Sequence, residues 1–420
     1  MRNSRNAGLV RGLLAIPVVA VALAALAAAA PTPARAGSTL TVIHSFGDGD
    51  GEYPATDLVI DAAGAIYGTT VQGGSLNSGT VFRLAPAGGG WTESVLYSFT
   101  SQQDGGQPYG GVTLDGEGNL YGAAVTGGTG MACEGGCGVV YKLTKNGTSF
   151  SHSVIYNFTG GNDGSGPGAG LTFDGQGNLY GMTPTAGEFG LGVIYKLAPN
   201  GSGGWTHSVV HAFTGGPDGA TGSAGRLLLH GGKLYGVATV GGANGKGTVF
   251  RLTPQAGGAW SLDTLYAFKG PPDGGLPYGA LVRDAQGRLY GTTYYDGAHG
   301  LGAVYQLTPT LSGPWKARVL HSFEGDYEGA YPISHLNIDA AGNLYGTASE
   351  GGDEGCYCGT VFWLSPAGGH YHYNVLHTFA GSPDGKYPYN GMVRGPGGKL
   401  YGTTVRGGAD DDGVIFALTP

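Results

Sequence analysis

The chain has 420 residues, of which 87 are glycine and only 12% are charged. The formal charge of −8 marks an acidic chain, which argues against nucleic acid or an anionic membrane surface as a partner. So much glycine would suit a disordered chain, but short apolar runs recur along the whole sequence and argue against disorder.

Residues 1–36 stand apart. Arg2, Arg5 and Arg11 precede a long Ala/Val/Leu stretch that ends at Ala34-Arg35-Ala36. This reads as a secretory signal peptide cleaved after Ala36; an uncleaved membrane anchor is the alternative. No cysteine follows the apolar run, so a lipoprotein is not expected, and no second run is long enough to span a bilayer. Cleavage removes four arginines and no carboxylate, so the 384 remaining residues carry −12. The mature chain is expected to be secreted, periplasmic or at the cell surface, without stable membrane insertion.

From residue 37 onward one pattern repeats. A short apolar residue, a tyrosine and a glycine recur at Tyr67, Tyr121, Tyr180, Tyr235, Tyr290, Tyr345 and Tyr401, spaced 54 to 59 residues apart. A sustained period of this length marks a repeat architecture. Each unit opens on an Asp-Gly-x-x-Pro turn such as Asp104-Gly105-Gly106-Gln107-Pro108, followed by a short strand ending in Asp, as in Val112-Thr113-Leu114-Asp115. The Tyr-Gly strand, a Gly-Gly loop, a third strand such as Gly79–Leu84 and a fourth such as Ser94–Phe99 complete it. These runs are rich in Val, Ile, Leu, Tyr, Phe and Thr and bounded by Gly, Pro, Asn and Asp, which reads as antiparallel strands. No stretch of residues 37–420 sustains a helical period. The chain is therefore predicted to be all-β: one domain over 37–420, a seven-bladed β-propeller with four-stranded blades. It begins on an outer strand, Leu40–Phe46, and ends on a third strand, Val414–Leu418. The N-terminal strand is expected to complete the last blade and close the ring.

The run Leu-Tyr-Gly-Thr-Thr-x-x-Gly-Gly, then Gly-Thr-Val-Phe-x-Leu, then Val-Leu-Tyr-Ser-Phe resembles the GloVer-type tandem repeat of exported bacterial proteins. Residues 289–293, 400–408 and 79–84 carry the likeness most clearly. The resemblance implies a secreted or surface-associated repeat protein and brings no established activity, so no catalytic residue carries over. Some relatives have a C-terminal surface anchor. Here the sequence ends at Pro420 directly after a strand, so release from the cell is the expectation.

Seven internal copies allow architecture to be subtracted. Asp50, Asp104, Asp163, Asp218, Asp273 and Asp384, with Glu328 in the sixth unit, all lie 17 residues before the repeat tyrosine. They read as turn stabilisers. No cofactor is required; calcium is a weak alternative, because one carboxylate per turn falls short of six to eight oxygens, with Asp48-Gly49-Asp50-Gly51-Glu52 the local exception. The seven tyrosines are expected to bury their rings between blades with their hydroxyls on backbone partners. Trp91, Phe150, Trp205, Trp260, Trp315 and Tyr371 share one packing slot. His44, His211, His321 and His377 share another with Tyr97, Tyr156 and Tyr266, while His152, His207, His230, His370 and His372 map to outer strands or bottom turns.

Only His299 and His335 remain on the top face, where the turns entering each blade meet the loops after the Tyr-Gly strands. Ten residues before each tyrosine stand Asp57, Gly111, Gly170, Gly225, Ala280, His335 and Gly391. Asp57 and His335 depart from a small-residue slot beside the channel. Further departures cluster in units five to seven: Tyr294, Tyr295, Asp296 and His299; Tyr327, Tyr331, Glu350, Asp353 and Glu354; Tyr387, Tyr389, Arg406 and Asp410–Asp412. Tyrosines and carboxylates around a channel mouth suit a hydroxyl-rich ligand; a solvated loop surface is the bland alternative.

Cys133 and Cys137 lie in the enlarged loop of the second unit, Cys356 and Cys358 in that of the sixth. In an exported protein each pair reads as a disulfide staple. The Cys356–Cys358 ring is small and expected to be more easily reduced. A four-Cys zinc site is the alternative.

No Gly-x-Ser-x-Gly, His-Glu-x-x-His or phosphate loop is present. The first functional reading is therefore a monomeric extracellular module binding a glycan or a protein through the top face, with Asp296, His299, Tyr331, Glu350 and Tyr389 as contacts. The alternative is a carbohydrate-active enzyme. A polysaccharide lyase needs a base, an acid and a cation beside a uronate, for which His335, Tyr294 or Tyr295, and Arg406 are the candidates. A glycosidase needs two opposed carboxyl groups, for which Asp57, Asp296 and Glu350 are available. A structural surface protein without a small ligand is the third reading.

Overall fold

The computed structural model describes residues 37–420 apart from Asp48, Ser223, Ala224, Ser312, Gly313 and Glu354. The signal peptide read over residues 1–36 lies outside the described residues, as do Asp48 of the acidic turn and Glu354 of the sixth-unit loop. Seven antiparallel sheets form a seven-bladed β-propeller. In the first blade the strands run A (Val59–Ile60), B (Ile66–Thr70), C (Thr80–Ala87) and D (Gly90–Ser98), in that order from the channel outward. Strand B is buried at every residue, whereas strand D alternates between exposed and half-buried positions. That gradient explains the composition: a strand covered on both faces reads as continuously apolar, and an outer strand alternates.

The Tyr-Gly signature has a local cause in each of its residues. The apolar member, Ile66, Leu120, Leu179, Leu234, Leu289, Leu344 or Leu400, is fully buried. The glycine lies beneath an aromatic ring of strand C. A Cβ on Gly68, Gly122, Gly181, Gly236, Gly291, Gly346 or Gly402 would stand 2.3 to 2.6 Å from Phe82, Tyr141, Tyr195, Phe250, Tyr305, Phe362 or Phe416 respectively. Gly236→Ala is expected to cost about 2 kcal/mol through overpacking against Phe250 and Leu227, read as a lower urea midpoint with unchanged slope.

The tyrosines are buried, but the backbone partner expected for their hydroxyls is corrected. Five of them donate to a carboxylate of the A–B turn: Tyr67 to Asp61, Tyr121 to Asp115, Tyr180 to Asp174, Tyr290 to Asp284 and Tyr345 to Asp339, at 2.9 to 3.2 Å. The carboxylate also caps its own turn, so one aspartate satisfies both turn and tyrosine. The tryptophan slot packs between blades, with Trp91 edge-on to Tyr401 at 5.8 Å and Trp205 edge-on to Tyr121 at 6.0 Å. The Asp-Gly turns behave as turn stabilisers. Asp104 accepts from the backbone of Thr100 and the hydroxyl of Tyr97; His211 and His377 reach Asp218 and Asp384 in the same way at 3.0 and 2.9 Å.

Neighbouring blades are joined by a recurring backbone bond. The residue before the repeat proline takes a positive φ at Tyr53, Gln107, Gly166, Leu276, Tyr331 and Tyr387. This conformation is costly for a side chain other than glycine. It aims the amide of each at a carbonyl of the preceding blade: Asp412, Ser78, Cys137, Lys246, Leu301 and Cys358, at 2.8 to 3.1 Å. The first of these bonds crosses from the last blade to the first. At the same seam Thr39–Ser45 pairs antiparallel with Val414–Thr419, from Thr39 opposite Thr419 to Ser45 opposite Val414 with one irregularity after Val42. Phe46, Leu58, Phe82, Tyr401 and Ile415 share a buried cluster there.

Between its first bridge and strand A, each chain segment leaves the ladder. In the fifth blade Gly275–Pro277 and Val282–Arg283 both pair with Leu289–Tyr295, with residues 278–281 between them unpaired. These unpaired residues line the channel.

Candidate functional site

Strand pairing corrects one sequence register. Val59 lies opposite Tyr67 and Asn337 opposite Tyr345, but in the fourth blade Leu228, not Leu227, lies opposite Tyr235. The A–B turn of that blade is one residue short, so counting back from the tyrosine overshoots. The residue equivalent to Asp57 and His335 is therefore Arg226, not Gly225. One slot around the channel thus holds three ionisable side chains, from blades one, four and six. The signal was present in the compressed turn His230-Gly231-Gly232.

Two of the three meet. His335 Nδ1 lies 3.0 Å from Asp57 Oδ1, and each side chain is 21% exposed. The other ring nitrogen, Nε2, lies 3.2 Å from the carbonyl of Met392, which also accepts from the Asn337 amide. Both partners of the imidazole are acceptors, so the ring satisfies them best as the doubly protonated cation. Burial alone would lower the His335 pKa, but the Asp57 carboxylate outweighs it and holds the value above 6.5. Burial likewise would raise Asp57, and His335, helped by Arg226, brings it below 3.8. Gly391, in the blade between, makes the bridge possible: a Cβ there would lie 2.5 Å from the His335 ring. Arg226 reaches the carbonyl of Val112 at 3.4 Å, and its buried Nε has no hydrogen-bond partner among the described residues.

The pair partitions the channel. Asp57, Ala280 and His335 line both an upper chamber of about 260 Å³ and a lower one of about 380 Å³. The upper chamber is walled by Tyr109, Tyr278 and Tyr389. Tyr278 and Tyr389 also belong to an adjoining recess of about 240 Å³ with Tyr294 and Glu350. Tyr294, Tyr295 and Tyr331 pack beside it with ring centroids 4.3 to 5.5 Å apart. Burial first, then Tyr295 and the charge of Glu350, raise the Tyr294 pKa; burial and Glu350 raise Tyr389. These phenols stay neutral hydrogen-bond donors.

Tyr109 and Tyr278 escaped the sequence reading. They follow the repeat proline in a slot that holds Ala55, Gly168 and Ile333 in other blades. Tyrosine in the same slot as Tyr389 was the available signal.

The remaining candidates lie elsewhere. Arg406 stacks 4.0 Å from the centroid of Tyr53 and donates to the Asp411 carbonyl. Asp296 adopts a positive φ and forms an ion pair with Lys246 of the preceding blade at 3.0 Å. His299 faces Glu324 at 3.3 Å, both largely in solvent. None of these three lines the channel chambers or the recess. The structure thus brings Asp57 to His335 and Tyr294 to Glu350 and Tyr389, but does not bring Arg406 to His335. Among the described residues no three His, Cys, Asp or Glu side chains converge as a metal site.

The cysteines pair as Cys133–Cys137 and Cys356–Cys358, which leaves no thiolate for the four-Cys zinc alternative. Each disulfide packs over a turn glycine, Gly160 or Gly381, where Leu191 and Leu301 cover Gly215 and Gly325 in other blades.

The Gloeobacter/Verrucomicrobia repeat matches residues 32–133, 129–316 and 311–420. The chain belongs to this family. No curated protein matches the Gloeobacter/Verrucomicrobia repeat chain. Solved structures do. A Thermus thermophilus protein assigned as an oxidoreductase (glucose dehydrogenase) is 18% identical, with a TM-score of 0.43, over 74% of this chain and 96% of that one. A Dyadobacter fermentans protein of unknown function is 12% identical, with a TM-score of 0.43, over 81% and 98%. A luciferin-regenerating enzyme is 14% identical, with a TM-score of 0.46, over 82% and 100%. Similarity at this level carries no argument about the activity of the repeat chain.

Proposed function

We propose that the protein is an exported binding module that takes a glycan at the tyrosine-lined mouth of its channel. The observation that carries this reading is the arrangement of Tyr109, Tyr278 and Tyr389 above the Asp57–His335 partition, with Glu350 in the adjoining recess. Flat neutral phenols stack on apolar sugar faces, and a carboxylate accepts sugar hydroxyls. Export rests on the leader at residues 1–36.

The enzymatic alternative uses the same mouth but finds less support. Both ring nitrogens of His335 are engaged, Arg406 is held by Tyr53 and Asp411, and of the three glycosidase carboxylates only Glu350 is without an ion-pair partner among the described residues. Retardation in gels cast with a panel of polysaccharides tests the binding reading. Tyr278→Ala and Tyr389→Ala are each expected to weaken binding about tenfold. Retardation unchanged in both variants would overturn it. Unsaturated uronates or new reducing ends, lost in His335→Ala and Arg406→Ala, would establish the lyase instead.

A further inference from the structure

The bottom face carries a second departure from the repeat. A groove of about 660 Å³ lies between blades five and six, lined by Arg283, Arg288 and Arg318 together with Asp284, Asp339 and His370. Arg283 lies opposite Leu289, in a slot that holds Ile60, Leu114, Phe173, Leu229, Ile338 and, in the last blade only, Arg394. Arg318 lies opposite Gln306, where the other blades place Ser94, Ser153, Ser208, Asp263, Asn374 and Thr41. Arg288 shares its slot with Lys233 and Lys399, but only in blade five do all three cations meet.

The local charges are not balanced by one another. Asp284 is committed to the backbone and side chain of Arg288 and to the Tyr290 hydroxyl. Asp339 is saturated by Ala341, Asn343 and Tyr345. Arg283 reaches only the Asp284 carbonyl, at 3.3 Å, and Arg318 the Gly369 carbonyl at 2.6 Å and His370 Nδ1 at 3.3 Å. Among the described residues neither guanidinium forms an ion pair with a carboxylate. With three arginines against Asp284 and Asp339, the groove carries a net positive charge in an acidic protein. The half-buried Arg283 and the exposed Arg318, without counter-ions among the described residues, attract planar oxyanions through paired N–H donors. The space exceeds what one inorganic anion fills and falls within the range of small-molecule sites.

We propose that this groove binds a ligand carrying two or more linked oxyanion groups. Its position on the face opposite the tyrosine mouth makes it independent of the function proposed above.

Calorimetric titration of the mature protein at about 50 mM salt, where surface charge is only partly screened, tests it with inorganic sulfate, inorganic pyrophosphate and a sulfated disaccharide. Pyrophosphate or the disaccharide is expected to bind at least about tenfold more tightly than sulfate. The variant R283I/R318S restores the side chains that other blades carry, so it keeps the fold by circular dichroism; it is expected to lose that advantage. R318S alone, at an exposed strand position, serves if the pair unfolds. Arg251→Ser, which removes an arginine already paired with Asp263, leaves the titration unchanged. Whichever linked anion binds identifies the ligand as phosphate-bearing or saccharide. Equal weak binding of all three anions, or undiminished binding in R283I/R318S, would overturn the proposal.

Discussion

A chain that begins at Gly47 is expected to melt about 10 °C below one that begins at Gly37. The segment supplies the fourth strand of the last blade, paired with Val414–Thr419 over its length. It also places Phe46, which is fully buried, in the cluster that joins the last blade to the first, with Ile43 packed beside it and Leu40 in the neighbouring cluster. Burial of three such side chains is worth on the order of 6 kcal/mol, before the ladder hydrogen bonds are counted. The deletion further uncovers Val414–Thr419 as an open edge, so the truncated protein should aggregate on heating while the full chain refolds. Phe46→Ala isolates the packing contribution and should cost about 3–5 kcal/mol. An unchanged melting curve on deletion would show that the ring does not depend on this pairing, and that the Tyr53 amide bond to Asp412 is seam enough.

The second large effect is expected at the channel partition. His335→Gln should destabilise the fold by about 2 kcal/mol, since it removes a charge-assisted hydrogen bond and leaves Asp57 half-buried without its counter-charge. The effect has a defined pH dependence. The His335 pKa is raised above 6.5, so its contribution is complete below that value and is lost as pH rises through the raised pKa. The Asp57 pKa is depressed below 3.8, so its contribution is complete above that value and is lost as pH falls through the depressed pKa. The gap between wild type and His335→Gln in urea unfolding should therefore be widest between about pH 4 and 6.5 and narrow on either side. A gap constant from pH 4 to pH 9 would mean that packing, not the ion pair, carries the effect. Gly391→Ala supplies the independent check. Its Cβ falls on the His335 ring, so it should break the same bridge, and its cost should shrink when combined with His335→Gln.

Much of the fold is legible in the sequence. Blade number, strand order and the buried face of each strand follow from a period that returns the same glycine and tyrosine seven times and the A–B turn aspartate five times. Each of those residues answers to a neighbour within its own unit or the next: glycine to the strand C ring, tyrosine to the turn carboxylate. Local chemistry repeated is local chemistry readable. The site was legible only in part. Asp57 and His335 stood out as departures, and so did Glu350, Tyr389 and Tyr294. Arg226 was hidden because one compressed turn shifted the count by a residue, and strand pairing, not spacing, sets equivalence. Tyr109 and Tyr278 were hidden because nothing in their own units distinguishes them; they matter only as members of a ring drawn from different blades.

The amino-acid sequence alone determined the repeat, its strands and the two cysteine-bearing loops, because those depend on contacts between residues close in the chain or one period apart. Tertiary structure decided which departures meet. His335 reaches Asp57 across the seam only because the ring returns the first blade to the sixth with glycine between them. Arg406, equally conspicuous in sequence, is turned aside by Tyr53. In a closed ring, residues hundreds of positions apart become neighbours through rotation about the axis, and that rotation is a property of how the blades pack rather than of any one of them.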